Sequence, residues 1–285
     1  MKRARLEPSA AAEPSSRIAR AFRTAKAEKR AAFIPYLTAG DPSADGTVVL
    51  AAALERAGAD ILELGVPFSD PIADGPVIQR SSARALKAGT SLETVFAMAR
   101  RIREETRLAL VLFSYLNPLM HRGIDRAAAE AREAGFDGVL VTDLPPDEAP
   151  VFQPAWRAAG LDTIFLASPT STPQRMAAAA RLSSGFLYVV SRSGTTGARQ
   201  SLPPDLPDTV RRARRAAGRL PLAIGFGIGT PRAASEAAAL ADGVVVGSAL
   251  VRAAEEAGKG AEKAVEDLAR LLARACRKPA RLAEA

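Results

Sequence analysis

Short apolar runs of five to seven residues recur along the chain at AFIPYL (32–37), DILELG (60–65), LALVLF (108–113), DGVLVT (137–142), DTIFLA (162–167), GFLYVV (185–190), LPLAIG (220–225) and DGVVVG (242–247). Each is rich in leucine and β-branched residues, and each predicts a strand. Between them lie Ala-, Arg- and Glu-rich stretches with helical apolar spacing, such as TVVLAAALERAG, LETVFAMARRIREE and RAAAEAREAG, each long enough for a crossover helix. Several of these end at glycine and pass directly into an aspartate, as in RAGAD, EAGFD and RAAGLD. Glycine supplies the left-handed conformation of a helix C-cap, so every helix stop coincides with a strand start.

Strands apolar on both faces and separated by helices imply a parallel sheet covered on both sides. Eight such units favour a (β/α)₈ TIM barrel in a single α/β domain over 16–277, opened by an extra N-terminal helix. An open doubly wound sheet is the alternative, because a pattern of strands does not prove closure. In a barrel, chemistry sits at the C-terminal ends of the strands.

Composition agrees with one large core: 48% of the 285 residues are hydrophobic. No apolar run approaches the roughly 20 residues a membrane helix needs. MKRAR is followed by LEPSAAAEPSS rather than a signal-peptide core, so a cytoplasmic protein is expected. The single cysteine, Cys276, fits a reducing compartment, and with one histidine, His121, it leaves no thiol- or imidazole-based metal site to be expected.

The net charge of +8 raises the question of nucleic acid, and its distribution argues against it. Residues 1–30 hold nine Lys or Arg against three Glu, which leaves only +2 for the rest. Residues 1–15 read as a disordered basic arm and 278–285 as a flexible tail. A second cluster, RRARRAAGR (211–219), has helical spacing without interleaved aromatics, and reads as a solvated helix face.

One stretch, ILELGVPFSDPIADGPVIQ (61–79), departs from the pattern by placing a glutamate inside a strand. Alternation puts Ile61, Glu63 and Gly65 on one face, Leu62 and Leu64 on the other. Two readings of Glu63 stay open on the residues alone: a structural carboxylate paired with a neighbour, or an acid/base group at the barrel mouth whose pKa is raised by desolvation. In the loop that follows, Asp70 before Pro71 reads as a turn former, whereas Asp74 is the better candidate for pointing into a site. After strands seven and eight, GFGIG (225–229) and GSA (247–249) place glycines where backbone N–H groups can approach an anion, the latter at a helix start. SRSGTTGARQ (191–200) reads as a lid or as an ordinary surface loop.

These segments resemble the tryptophan synthase α chain family. Its signature is similar to LELGVPFSDPIADGPVIQ, and FIPYLTAGDP (33–42), TDLPPDEA (142–149), YVVSRSGTTG (188–197), GFGIGTP (225–231) and VVGSALV (245–251) fall where that family has matching segments. The resemblance implies a lyase subunit that cleaves indole-3-glycerol phosphate to indole and glyceraldehyde 3-phosphate. It implies Glu63 as the main acid/base and Asp74 as the carboxylate that receives the indole N–H. It also implies phosphate contacts at Gly197, Gly227, Gly247 and Ser248, an indole wall that includes Tyr36, Leu116, Leu166, Tyr188 and Phe226, and a further substrate-binding residue in Tyr115. Thr196 would order one of the carboxylates on closure; Thr195 stands where the family often has valine.

The same resemblance implies a partner, the pyridoxal-phosphate-dependent β chain, in an α2β2 heterotetramer. It would be met through the loops that carry Tyr115, Asn117, Asp143 and Pro145. The pyridoxal phosphate would belong to that partner, with no cofactor in this chain. Alternatives are a self-sufficient lyase that releases free indole and a non-catalytic regulatory subunit; the latter would lack Glu63 or Asp74, and both are present. The related synthase that makes indole-3-glycerol phosphate would need a lysine-centred constellation at the strand ends, and none is present.

Overall fold

The computed structural model describes residues 16–191 and 202–277. Eight parallel strands, β1 (Ala32–Thr38), β2 (Ile61–Gly65), β3 (Ala109–Ser114), β4 (Gly138–Val141), β5 (Asp162–Ala167), β6 (Leu187–Val190), β7 (Leu222–Gly225) and β8 (Gly243–Val246), close into a barrel in sequence order, with β8 paired to β1. The barrel reading therefore holds and the open sheet does not. Helices α1 (Arg17–Ala27), α2 (Ala44–Arg56), α3 (Pro76–Lys87), α4 (Leu92–Glu105), α5 (Leu116–Arg122), α6 (Ile124–Glu133), α7 (Ala149–Ala158), α8 (Pro173–Leu182), α9 (Leu206–Ala217), α10 (Pro231–Leu240), α11 (Ser248–Ala257) and α12 (Ala261–Ala275) accompany the strands. Among the described residues, no helix is long and apolar enough to cross a membrane.

Alternation along the strands divides the core in two. Ile34 and Tyr36 of β1, Ile61 of β2, Val111 and Phe113 of β3, and Tyr188 of β6 belong to the cluster inside the barrel. Their neighbours Phe33, Leu37, Leu62, Leu64, Leu110 and Leu112 pack outward against the helices. A side-chain period of two makes both faces of every strand apolar, which is why the sequence shows runs rather than an apolar/polar alternation.

The bottom of the barrel is closed by α1, whose Ile18 and Phe22 join the interior cluster. Phe22 meets Phe186 with ring centroids 5.5 Å apart. Gly138 and Gly243 make room for this plug: a Cβ would come within 2.8 Å of Ile18 Cδ1 at Gly138, and within 3.0 Å of Phe22 Cε1 at Gly243.

The aspartates just before β2, β4 and β8 have a repeated job at this end. Asp60 Oδ2 accepts the N–H of Phe33 at 2.8 Å, Asp137 Oδ2 that of Leu110 at 2.9 Å, and Asp242 Oδ2 that of Leu222 at 2.9 Å. Before β6, Ser184 Oγ and Ser183 Oγ accept from Thr163 and Phe165 instead. At every even strand, then, the entry segment caps the odd strand before it. The strands' first donors are satisfied, and the opposite end is left free for chemistry.

Candidate active site

At the C-terminal end of the barrel an open cavity is lined by Tyr36, Glu63, Asp74, Ile78, Phe113, Tyr188, Phe226, Gly227, Ile228, Val245, Gly247 and Ser248. That lining, mostly apolar with a few convergent polar groups, suits a small, partly apolar ligand. Registration builds its floor: Tyr36 pairs with Glu63 and Glu63 with Val111 across β1, β2 and β3, so the glutamate stands among apolar interior positions.

Glu63 is 1% exposed, and its Oε1 has no hydrogen-bond partner among the described residues. Burial pushes its carboxyl well above the usual carboxylate range. A structural carboxylate would be paired; this one is held neutral by an environment that offers it little, which favours the acid/base reading. Asp74 is also buried, at 8% exposure, but in a different setting. The Tyr115 hydroxyl donates to its Oδ2 at 3.0 Å. Burial raises Asp74 to about 6, and the tyrosine bond pulls in the opposite direction. Asp70 is exposed, and its carbonyl accepts the N–H of Ile72 within the turn, as its reading as a turn former requires.

Two tyrosines flank the carboxylates, each lying over a glycine. A Cβ on Gly65 would fall 2.1 Å from Tyr36 Oη, and one on Gly225 would fall 2.0 Å from Tyr188 Oη. Both phenols are pushed above their ordinary range, by burial first and then by the Asp74 and Glu63 carboxylates. They therefore remain neutral and present rings and hydroxyls to the cavity.

The far side of the cavity is backbone. Phe226 has φ of 72°, a left-handed conformation that a bulky side chain rarely adopts, and Gly227 follows with φ of 76°. Ser191 fixes the strained Phe226 from the neighbouring strand end: its Oγ donates to the Phe226 carbonyl and its N–H to the Gly225 carbonyl. Gly247 is the N-cap of α11 and Ser248 its first residue, so the start of the helix, with its positive end, stands at the cavity. Strain held by surrounding bonds beside a helix start is the geometry of an anion cradle.

Not every candidate from the sequence lines this cavity. Leu116 opens α5 and packs against the outer core, with its N–H donated to Asp143 Oδ1 at 2.7 Å. The loops after β3 and β4 are tied together by that bond. Leu166 packs against the interior cluster without being among the cavity-lining residues. Tyr115 reaches the site through Asp74. Thr196 and Gly197, with Thr195 and the rest of the 192–201 loop, lie outside the described residues, as do the 1–15 arm and the 278–285 tail. Ile78, Phe113, Ile228 and Val245 line the cavity without having been singled out. Phe113 and Val245 could have been found by carrying the two-residue alternation to the strand ends.

Comparison with known proteins agrees with this geometry. The family described as tryptophan synthase alpha chain matches residues 22–280. The tryptophan synthase alpha chain of Solibacter usitatus is 53% identical over 240 residues, which span 84% of this chain and 90% of the relative. That of Opitutus terrae is 44% identical over 254 residues, 89% of this chain and 95% of the relative. Among solved structures, a chain of Mycobacterium tuberculosis tryptophan synthase superposes with a TM-score of 0.85 at 37% identity, covering 93% of this chain and 100% of that one. The Legionella pneumophila tryptophan synthase subunit alpha gives 0.84 at 40% identity, covering 92% and 98%. The chain belongs to the tryptophan synthase alpha chain family, the lyases of tryptophan biosynthesis that cleave indole-3-glycerol phosphate by a retro-aldol reaction.

Proposed function

We propose that Glu63 and Asp74 divide the proton work of this cleavage. What carries the reading is the contrast between two buried carboxylates on one cavity, one whose Oε1 has no hydrogen-bond partner among the described residues and the other held by a tyrosine. Breaking the bond between indole C3 and the glycerol carbon requires a proton on C3, relief of positive charge at the ring nitrogen, and loss of the proton from the adjacent hydroxyl. Glu63, neutral because it is buried, delivers its proton to C3. Asp74, ionised above about 6, accepts the ring N–H and stabilises the iminium-like nitrogen that results. The C3–C bond then breaks, its electron pair restores the aromatic ring, and the hydroxyl oxygen becomes the aldehyde. Its proton passes to the Glu63 carboxylate, which returns to its starting form. One proton enters at C3 and one leaves the hydroxyl, so the cycle closes on a single residue.

The phosphate is held by backbone donors at Gly227 and Gly247 and by Ser248, and the indole ring lies among Tyr36, Tyr188 and Phe226. These assignments are supported by their common cavity and by the start of α11. Gly197 is assigned to the phosphate, and Thr196 to ordering one of the two carboxylates, on the resemblance alone. The partner is a β chain carrying pyridoxal phosphate, in an α2β2 assembly in the cytoplasm. Its docking face includes the loops with Tyr115, Asn117, Asp143 and Pro145, of which Asn117 and Asp143 are exposed.

The test is release of glyceraldehyde 3-phosphate from indole-3-glycerol phosphate by wild type and Glu63→Gln, each with and without a β chain. Activity that depends on Glu63 and rises with the partner supports the reading. Full activity without any partner favours a self-sufficient lyase, and no turnover in folded protein overturns it.

A further inference from the structure

The two ends of the cavity are carried by two neighbouring helices. Asp74 stands just before Gly75, the N-cap of α3, and its carbonyl accepts from Gln79 Nε2 at 2.8 Å, while Gly247 and Ser248 open α11. Helices α3 and α11 pack on each other and on β1 between them. Away from the cavity, one guanidinium joins all three elements. Arg84 of α3 donates from Nε and Nη2 to the two oxygens of Asp41, in the loop after β1, at 2.8 and 2.7 Å, and from Nη1 to Glu255 of α11 at 2.6 Å. Arg80, one turn earlier, donates from Nε and Nη2 to the same Glu255 at 3.0 and 2.8 Å. The Asp41 side chain is only 6% exposed, so the fork is anchored in the body of the protein.

Arg84 lies about 12 Å along α3 from its first residue, and Glu255 about 10 Å along α11 from Ser248, at 1.5 Å per residue. Neither reaches the ligand. With both contacts at similar depth, the brace governs how far apart the two helix starts stand. The partly exposed pairs on Glu255 contribute little to stability, whereas a misplacement of about 1 Å in a site can cost on the order of a hundredfold in rate.

We propose that Arg84, through Asp41 and Glu255, is a positioning residue that sets the span between the carboxylate end and the phosphate end of the site. This rests on the assignment of those ends given above. Such a role has a particular signature. A ligand that touches one end is indifferent to the span; a substrate that must touch both is not.

The experiment compares wild type, Arg84→Gln, Arg84→Lys, Glu255→Gln, the double variant and Arg56→Gln. The last removes a similar brace, between Arg56 of α2 and Glu262 and Glu266 of α12, remote from the cavity. Readouts are kcat and KM for indole-3-glycerol phosphate, and binding of indole and of glycerol 3-phosphate separately. Arg84→Gln is expected to lower kcat/KM about tenfold or more while each fragment binds within about twofold of wild type. Glu255→Gln should act in the same direction, Arg84→Lys should restore part of the loss, and the double variant should lose less than the sum of the two single losses, because they share the Arg84–Glu255 contact. Arg56→Gln should behave as wild type. The proposal is overturned if kcat/KM stays within about twofold in Arg84→Gln, or if a fragment loses as much affinity as the substrate, which would mean a local effect at one end. Should Arg84→Gln fail to fold, Glu255→Gln decides by the same comparison. Absence of wild-type turnover would overturn the site assignment as well; a missing Arg84 effect in an active wild type overturns this proposal alone.

Discussion

Tyr115 Oη lies 3.0 Å from Asp74 Oδ2 and accepts the N–H of Ala73 at 3.0 Å, so one hydroxyl holds both the carboxylate and the peptide before it. The ring is itself braced, with its centroid 5.0 Å from that of Phe68. Tyr115 thus fixes Asp74 and tunes its carboxyl.

Tyr115→Phe removes that donor while keeping the ring. Hydrogen bonds to charged groups contribute about 1.5–3 kcal/mol, and roughly 1.4 kcal/mol corresponds to one pKa unit. The bond favours the charged form and lowers Asp74, so its loss raises a group already at about 6. If Asp74 works as a carboxylate, activity falls as pH drops through its pKa, and the acid limb of the kcat/KM profile should move up by about one unit in the variant. An unmoved limb would take Asp74 out of that role.

The barrel was legible because eight apolar runs and their helix-ending glycines are local signals; Gly58, Gly135 and Gly160 do adopt φ of 102°, 95° and 73°. Glu63 and Asp74 were legible because a carboxylate inside a strand, and one at a turn that opens a helix, stand out against those runs. Contacts that join distant segments were not. Tyr115 and Asp74 are 41 residues apart, and Arg84 and Glu255 are 171 apart. Nothing in YLNPL or ARALK marks either side chain as turned toward its partner. Leu116 was assigned to the indole wall, yet the chain turns into α5 there and directs it to the outer core.

Glu63→Gln separates function from stability. The amide keeps the shape of the side chain and cannot deliver the proton, so kcat should fall by on the order of 10²–10⁴. Stability should change in the other direction. The folded state holds Glu63 neutral well above its ordinary value, whereas the unfolded chain releases that proton near pH 4.5. The group's contribution is therefore fully present below about pH 4.5 and lost as pH rises toward the folded pKa. Thermal melts from pH 4 to 8 should show Glu63→Gln gaining on wild type as pH increases. A constant difference in Tm across that range would mean that Glu63 is ionised in the folded protein.

The opposite end of the barrel should respond in the opposite way. Asp137 is 3% exposed and accepts from Leu110 N–H, Arg103 and Arg17. Removing one partner of a buried pair costs about 3–5 kcal/mol, and the exposed Arg17 contributes little of that here. Asp137→Ala should lower Tm by several degrees and leave KM unchanged where enough protein remains folded. A changed KM at full folding would place a functional demand on the strand entries that their geometry does not suggest.

Gly225 and Tyr188 should prove coupled in a way that single substitutions would hide. An added Cβ at Gly225 meets Tyr188 Oη at 2.0 Å and Cζ at 2.5 Å, and the ring cannot yield easily because Phe226 and Phe186 pack against it at centroid distances of 5.9 and 6.4 Å. Gly225→Ala is therefore expected to displace Tyr188 into the cavity and lower kcat/KM by about tenfold or more, overpacking being as damaging as a void. Tyr188→Phe would not relieve it, because the ring carbon stays in place. Tyr188→Leu removes both of these atoms and Cε1, which would lie at 2.8 Å, so the pair of substitutions should be more active than Gly225→Ala alone, although each single change is harmful. Additive losses in that double-mutant cycle would show that the ring has another way out.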